Sequence, residues 1–210
     1  MLNSNDSKQI LLSISNMFIE KEEELSKYDS VIGDGDHGTT MARGAKAAKE
    51  KIENLDDGGI RDYYKLYGRT LVSTLGGAMG PLYGSIFLEL SKACRENDLM
   101  GVEDFYNGFK NGLNKVMDLG GAKPGDKTMI DSMVEVVKSL DESVKNNHDL
   151  KFAFQKAVLA SKRGVEITKS LVAKRGRSKY LQQKAIGHQD AGATSFSYMI
   201  ETINNYIQNI

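Results

Sequence analysis

The chain has 210 residues, 40% hydrophobic and 27% charged, a length and balance that support one domain with its own core and no need of cross-links. Lys plus Arg and Asp plus Glu both number 28, so no net charge advertises nucleic acid or an anionic membrane as partner. One cysteine, Cys94, rules out an internal disulfide and a multi-cysteine metal site; with no secretory leader and no apolar run of about 18 residues, a cytoplasmic protein is expected.

Helical periodicity fills the spaces between glycine clusters. From Lys8 to Lys27, Ile10, Leu11, Ile14, Phe18 and Leu25 recur at helical spacing, with Glu20 to Glu24 on the wet side. Tyr64, Leu66, Tyr67, Leu71, Val72 and Leu75 form a second stripe, and Met129, Met133, Val136, Val137 and Leu140 a third. Phe152, Phe154, Val158, Leu159 and Val165 make a fourth, and Thr194 to Ile207 closes the chain in the same way. No alternating run is long enough for a strand. The pattern predicts an all-α, single-domain chain over 1–210, about eight antiparallel helices in a closed barrel or bundle.

The chemistry concentrates in the clusters. Residues 29–40 read DSVIGDGDHGTT, which sets Asp29, Asp34 and Asp36 in a D-x4-D-x-D array with glycines between them. Carboxylates are hard oxygen ligands suited to Mg2+ or Ca2+, and glycines let the backbone bend until three of them converge. The same stretch leads into a helix from Met41, whose N-terminal N–H groups and dipole favour a phosphate. Metal ligands beside a phosphate seat point to a metal–nucleotide complex. The alternative is that Asp and Gly here only build turns and caps. An EF-hand does not fit, because its residue order and its downstream Glu are absent.

A second patch, GGAMGPLYGS from Gly76 to Ser85, separates two stripes and reads alone as a close helix–helix connection, with Pro81 in the first turn of the next helix. The third, GGAKPGDKT from Gly120 to Thr128, imitates a P-loop but fails it. Asp126 intrudes before Lys127-Thr128, and the preceding segment is helical where a strand is required. It remains a glycine-rich turn able to touch a ligand. The last, RGRSKYLQQKAIGHQDAGATS from Arg175 to Ser195, follows Lys174 with Arg175, Arg177, Lys179 and Lys184. It reads as a solvated loop or a phosphate clamp, and His188 as structural or chemical.

Taken in order, DSVIGDGDHGTTM, GGAMGPLYG, GDKTMID and RGRSKYLQQKAIGHQDAGATS resemble the signature blocks of the nucleotide-binding L subunit of dihydroxyacetone kinases. The resemblance implies an eight-helix antiparallel barrel with the nucleotide site at one rim. It implies two Mg2+ ions on Asp29, Asp34 and Asp36, carrying the phosphates of ADP or ATP. His37, Gly38, Thr39 and Thr40 match phosphate contacts at a helix start, and Ala78 and Met79 a further nucleotide contact. Gly120 and Met129 match positions near the base, Arg177 an arginine directed at the phosphates in a catalytic role, and Asp190, Ala191 and Gly192 the rest of the rim. Met79 stands where a serine is common, Ala191 where a proline is frequent, and Gln182-Gln183 where Gly-Glu is common.

The implied partners are a K subunit that holds dihydroxyacetone covalently and a phosphohistidine-bearing phosphotransferase M subunit, and a homodimer is admitted. A free chain of this length resembles the split bacterial systems driven by phosphoenolpyruvate, in which bound ADP is rephosphorylated in place. His37 and His188 are then positioning or structural residues and not phosphoryl carriers. Two rivals share these residues: a kinase subunit for another ketose or an acyl substrate, and an ADP-binding regulatory module.

Overall fold

Nine α-helices follow one another in the computed structural model, which describes residues 1–94 and 98–210. They are α1 (Ser4–Glu20), α2 (Glu22–Ile32), α3 (His37–Glu53), α4 (Ile60–Thr74), α5 (Met79–Ala93), α6 (Val102–Gly120), α7 (Met129–Lys145), α8 (Leu150–Ser170) and α9 (Ala191–Gln208). No strand occurs among the described residues; the nearest thing is one antiparallel bridge between Leu2 and Met100.

Eight of the helices pack as a ring in the order α1, α3, α4, α5, α6, α7, α8, α9, with α9 returning to α1, and α2 lies over α3 and α9. The ninth helix comes from a break at Lys21, whose φ of −92° and ψ of 10° leave the helical path inside the stripe that runs from Lys8 to Lys27. The periodicity carries no mark of that break, because Leu25 falls seven residues after Phe18 and stays in register on either side.

Each helix turns its apolar stripe to one continuous core, centred on Phe18, Tyr64, Tyr67, Tyr83, Phe87, Phe105, Phe109, Phe154 and Phe196. Such burial dominates the stability of a bundle. Two stripe assignments change. Val72 on α4 and both Phe152 and Leu159 on α8 are exposed, Leu159 to 63%. The inward face of α8 is made of small residues instead, Ala153, Ala157, Ala160, Ser161 and Gly164 around Phe154, because α7 approaches too closely for larger ones. The patch from Gly76 does serve a close helix pair: a Cβ placed on Gly84 would lie 2.8 Å from the carbonyl oxygen of Gly68 on α4.

No described helix is long and apolar enough to cross a membrane. The alternation of the ring sets the N-termini of α3, α5, α7 and α9 at one rim, facing a single cavity.

Candidate functional site at the barrel rim

Asp29 lies in the last turn of α2, Asp34 in the connecting loop, and Asp36 immediately before α3. The loop reverses through Gly35, whose φ of +77° an L side chain rarely adopts. One carboxylate oxygen from each aspartate falls within 4.8 Å of the others. These are hard donors held close on a short loop, a set that fits Mg2+, which takes few carboxylates and keeps water and phosphate for its other positions. Burial, reinforced by the charges of Asp34 and Asp36, pushes the Asp29 carboxyl above its ordinary range, against the N–H of His37 that donates to it. A cation would relieve that crowding.

The cavity measures about 620 Å3, within the range of small-molecule sites. Four helix starts reach its wall: His37 of α3, Met79 of α5, Met129 of α7 and Ala191 of α9. Thr128 caps α7 in a capping box with Asp131, and the Asp190 carboxylate caps α9 by accepting from the N–H of Ala193 at 2.7 Å. Ala78 before α5 supplies no side-chain cap, so that helix dipole faces the cavity uncapped, whereas at α3 the N–H groups of His37 and Thr39 donate to Asp29 Oδ2 and Ser26 Oγ. An anion is the natural occupant.

The sequence-predicted residues gather here. Asp29, Asp34, Asp36, His37, Thr39, Thr40, Ala78, Met79, Gly120, Met129, Arg177, Asp190, Ala191 and Gly192 all line the cavity. Gly38 does not. It packs against α2, where a Cβ would come within 1.9 Å of the Glu22 carbonyl oxygen. The helix also starts at His37, earlier than the Met41 expected from the pattern. Ala191 is the first residue of α9, a position that also accepts proline. Gln182, standing where glycine is common, adopts a φ of +46°.

Behind the aspartates runs a buried polar chain. His37 Nε2 lies 2.8 Å from Ser195 Oγ, Tyr83 OH lies 2.5 Å from the same oxygen, and Tyr83 donates to the Gly192 carbonyl at 3.2 Å. Burial lowers the His37 pKa to about 4, so its ring is neutral at neutral pH and bonds Ser195 as a structural partner. The chain ties α3 and α5 to α9 beneath the seat.

At the mouth of the cavity, Arg177 Nε stands 2.7 Å from Asp34 Oδ2, and Arg43 and Arg175 also line it. Lys127 is fully buried in the wall. Its ammonium donates to the carbonyls of Thr168 and His188, each at 2.5 Å. Of the group Lys127, Arg43, Tyr83 and Ser195, the sequence drew attention to Lys127 alone, as part of a failed P-loop. The others join the site through contacts more than 100 residues apart, as with Tyr83 and Ser195, or from an ordinary helical position, as with Arg43. Outside the ring of site residues, the His188 side chain is exposed.

Known proteins are similar to this chain in sequence and in fold. The family model described as DAK2 domain matches residues 31–205. The ADP-binding subunit DhaL of a PEP-dependent dihydroxyacetone kinase from Escherichia coli is 37% identical over 193 residues, 92% of each chain. The ADP-binding subunit DhaL of a PTS-dependent dihydroxyacetone kinase from Lactococcus lactis is 38% identical, over 88% of each. D-Erythrulose kinase from Mycolicibacterium smegmatis is 31% identical over 88% of this chain, which spans only 32% of that longer protein. The crystal structure of the C. freundii dihydroxyacetone kinase with AMP-PNP and Mg2+ superposes with a TM-score of 0.71 at 25% identity, covering 98% of this chain and 34% of that one.

Proposed function

The chain belongs to the DAK2-domain family, and from that membership we propose that it is the ADP- and ATP-binding subunit of a dihydroxyacetone kinase, a phosphotransferase. In this reading residues 1–210 form one nucleotide-binding domain that works with a dihydroxyacetone-holding K subunit. ADP is retained and rephosphorylated in place by a phosphohistidine protein of the phosphotransferase system. The observation that carries the reading is the meeting of three carboxylates with the start of α3 and the uncapped start of α5 on one cavity wall.

Asp29, Asp34 and Asp36 would hold Mg2+, in the proposed case two ions, which when bound neutralise the phosphate charge. The starts of α3 and α5, through His37, Thr39, Thr40, Ala78 and Met79, orient the phosphates with backbone dipoles already fixed by folding. Gly120 and Met129 flank the base, and Asp190, Ala191 and Gly192 close the rim between them. Arg177, exposed and paired with one carboxylate, is placed to turn its planar guanidinium to the phosphates as charge develops on them. No nucleophile is required of this chain, because the attacking hydroxyl belongs to the acceptor. His37 has a buried, neutral ring occupied by Ser195, which suits positioning.

The test is turnover of dihydroxyacetone with a K partner, first with ATP alone and then with phosphoenolpyruvate and the phosphotransferase proteins. The expected outcome is about one product per nucleotide site with ATP and many with phosphoenolpyruvate. Sustained turnover on ATP alone contradicts retention of ADP. Since D-erythrulose kinase is also similar to this chain, a second ketose belongs in the same assay.

A further inference from the structure

Lys127 is a lysine with no exposed surface, set in a backbone conformation of φ +62° that costs a non-glycine residue free energy. A strained backbone and a buried ammonium at one position need compensation, and three features supply it. The ammonium bonds the last-turn carbonyl of α8, at Thr168, and the carbonyl of His188, two residues before the cap of α9. The Thr168 hydroxyl accepts from the N–H of Asp190 at 3.0 Å, so both polar groups of Thr168 serve the same joint. The Asp190 and Asp131 carboxylates act favourably on the lysine charge, while burial opposes it. Asp131 in turn holds the loop before α7 by accepting from the N–H groups of Gly125 and Thr128.

One side chain therefore joins the start of α7, the end of α8 and the approach to α9. The 171–190 segment, which carries Arg177, runs between two of these points. We infer that Lys127 is a positioning residue whose ammonium fastens both ends of the 171–190 segment to the α7 start, and so holds Arg177 over the cavity. The effect on phosphoryl transfer rests on the reading of this cavity as the nucleotide site; the effect on the segment does not.

Hydrogen exchange on the full chain without ligand separates the two. Lys127→Met deletes the ammonium, and Lys127→Gly does so while relieving the positive φ. In both, amides of 171–190 should exchange about tenfold faster or more, with α3 to α6 unchanged. Methylammonium should restore protection in the glycine variant and leave the wild type unaffected. With the K partner, kcat should fall at least about tenfold while the Kd for ADP with Mg2+ moves less than about threefold, because the lysine touches no metal ligand. Unchanged exchange in 171–190 overturns the inference, even where the wild type binds ADP. Global loss of helix in both variants also overturns it, since the lysine would then support the whole barrel. A wild type that does not bind ADP refutes the nucleotide reading and leaves the exchange result to decide the role of Lys127.

Discussion

Arg177 Nε lies 2.7 Å from Asp34 Oδ2, so the arginine expected over the phosphates is paired with one of the carboxylates expected to hold metal. Three carboxylates crowded between the end of α2 and the start of α3 attract a nearby cation, and Arg177, 70% exposed, can answer. A pair this open to water contributes at most about 1 kcal/mol, so giving it up for a phosphate costs little.

That weakness gives the first prediction. Arg177→Lys should lower phosphoryl transfer about 10- to 100-fold, matching loss of a charge-assisted bond of about 1.5–3 kcal/mol. The affinity for ADP with Mg2+ should fall less than about threefold. Steady-state kinetics beside calorimetry decides the point. Full activity in the variant would make the basic run an ordinary solvated loop.

Gly38 gives the second, on stability. Its absent Cβ lets α3 lie against α2, where Glu22 O and Ser26 N would stand 1.9 and 2.8 Å from an added methyl. Backbone cannot swing aside as a side chain does. Gly38→Ala should therefore destabilise by about 1–3 kcal/mol in urea and separate Asp29 from Asp36, weakening ADP binding as well. Gly76→Ala is the control: its added methyl meets only Arg43 Nη2 at 3.9 Å, and its effect should stay within about 0.5 kcal/mol. Equal effects at the two positions would refute the packing argument.

Much of this site is legible in the sequence. Asp29, Asp34 and Asp36 announce themselves because all three lie within eight residues of sequence, and glycines mark the turns that gather them. Five stripes mark α1 with α2, α4, α7, α8 and α9, and the inward residues are plainest where they are large. On α8 they are small, so the stripe points Leu159 inward although it faces water. The Tyr83–Ser195–His37 chain leaves little local trace: His37 stands out in the sequence, but its partners Tyr83 and Ser195 are ordinary residues on other helices. Lys127 is visible in GDKT, where a P-loop lysine would meet phosphate, but its partners are two backbone carbonyls.

Asp190 supplies the third prediction, a pH dependence. Burial raises its carboxyl to about 7 from an ordinary 3.8, only partly offset by the Ala193 N–H and the Lys127 charge. Between those values the folded chain keeps a proton that the unfolded chain releases. The unfolding free energy conferred by this group therefore falls as pH rises from about 4 to about 7 and is flat above. Asp190→Asn cannot ionise and lacks the slope. The stability of wild type minus variant, from urea titrations across that range, should decline steadily with pH. A difference that is constant or rises would mean that Lys127 keeps Asp190 ionised throughout.

The central claim is that three aspartates and a metal ion together create the nucleotide site, and calorimetric titration with ADP tests it most directly. With Mg2+ present, the wild type should bind ADP, and chelation of the metal should abolish binding. Asp34→Ala and Asp36→Ala should each lose affinity by about 2–3 kcal/mol or more, because a removed ligand leaves phosphate charge uncompensated. ADP binding of unchanged affinity without Mg2+, or in either variant, would contradict the account.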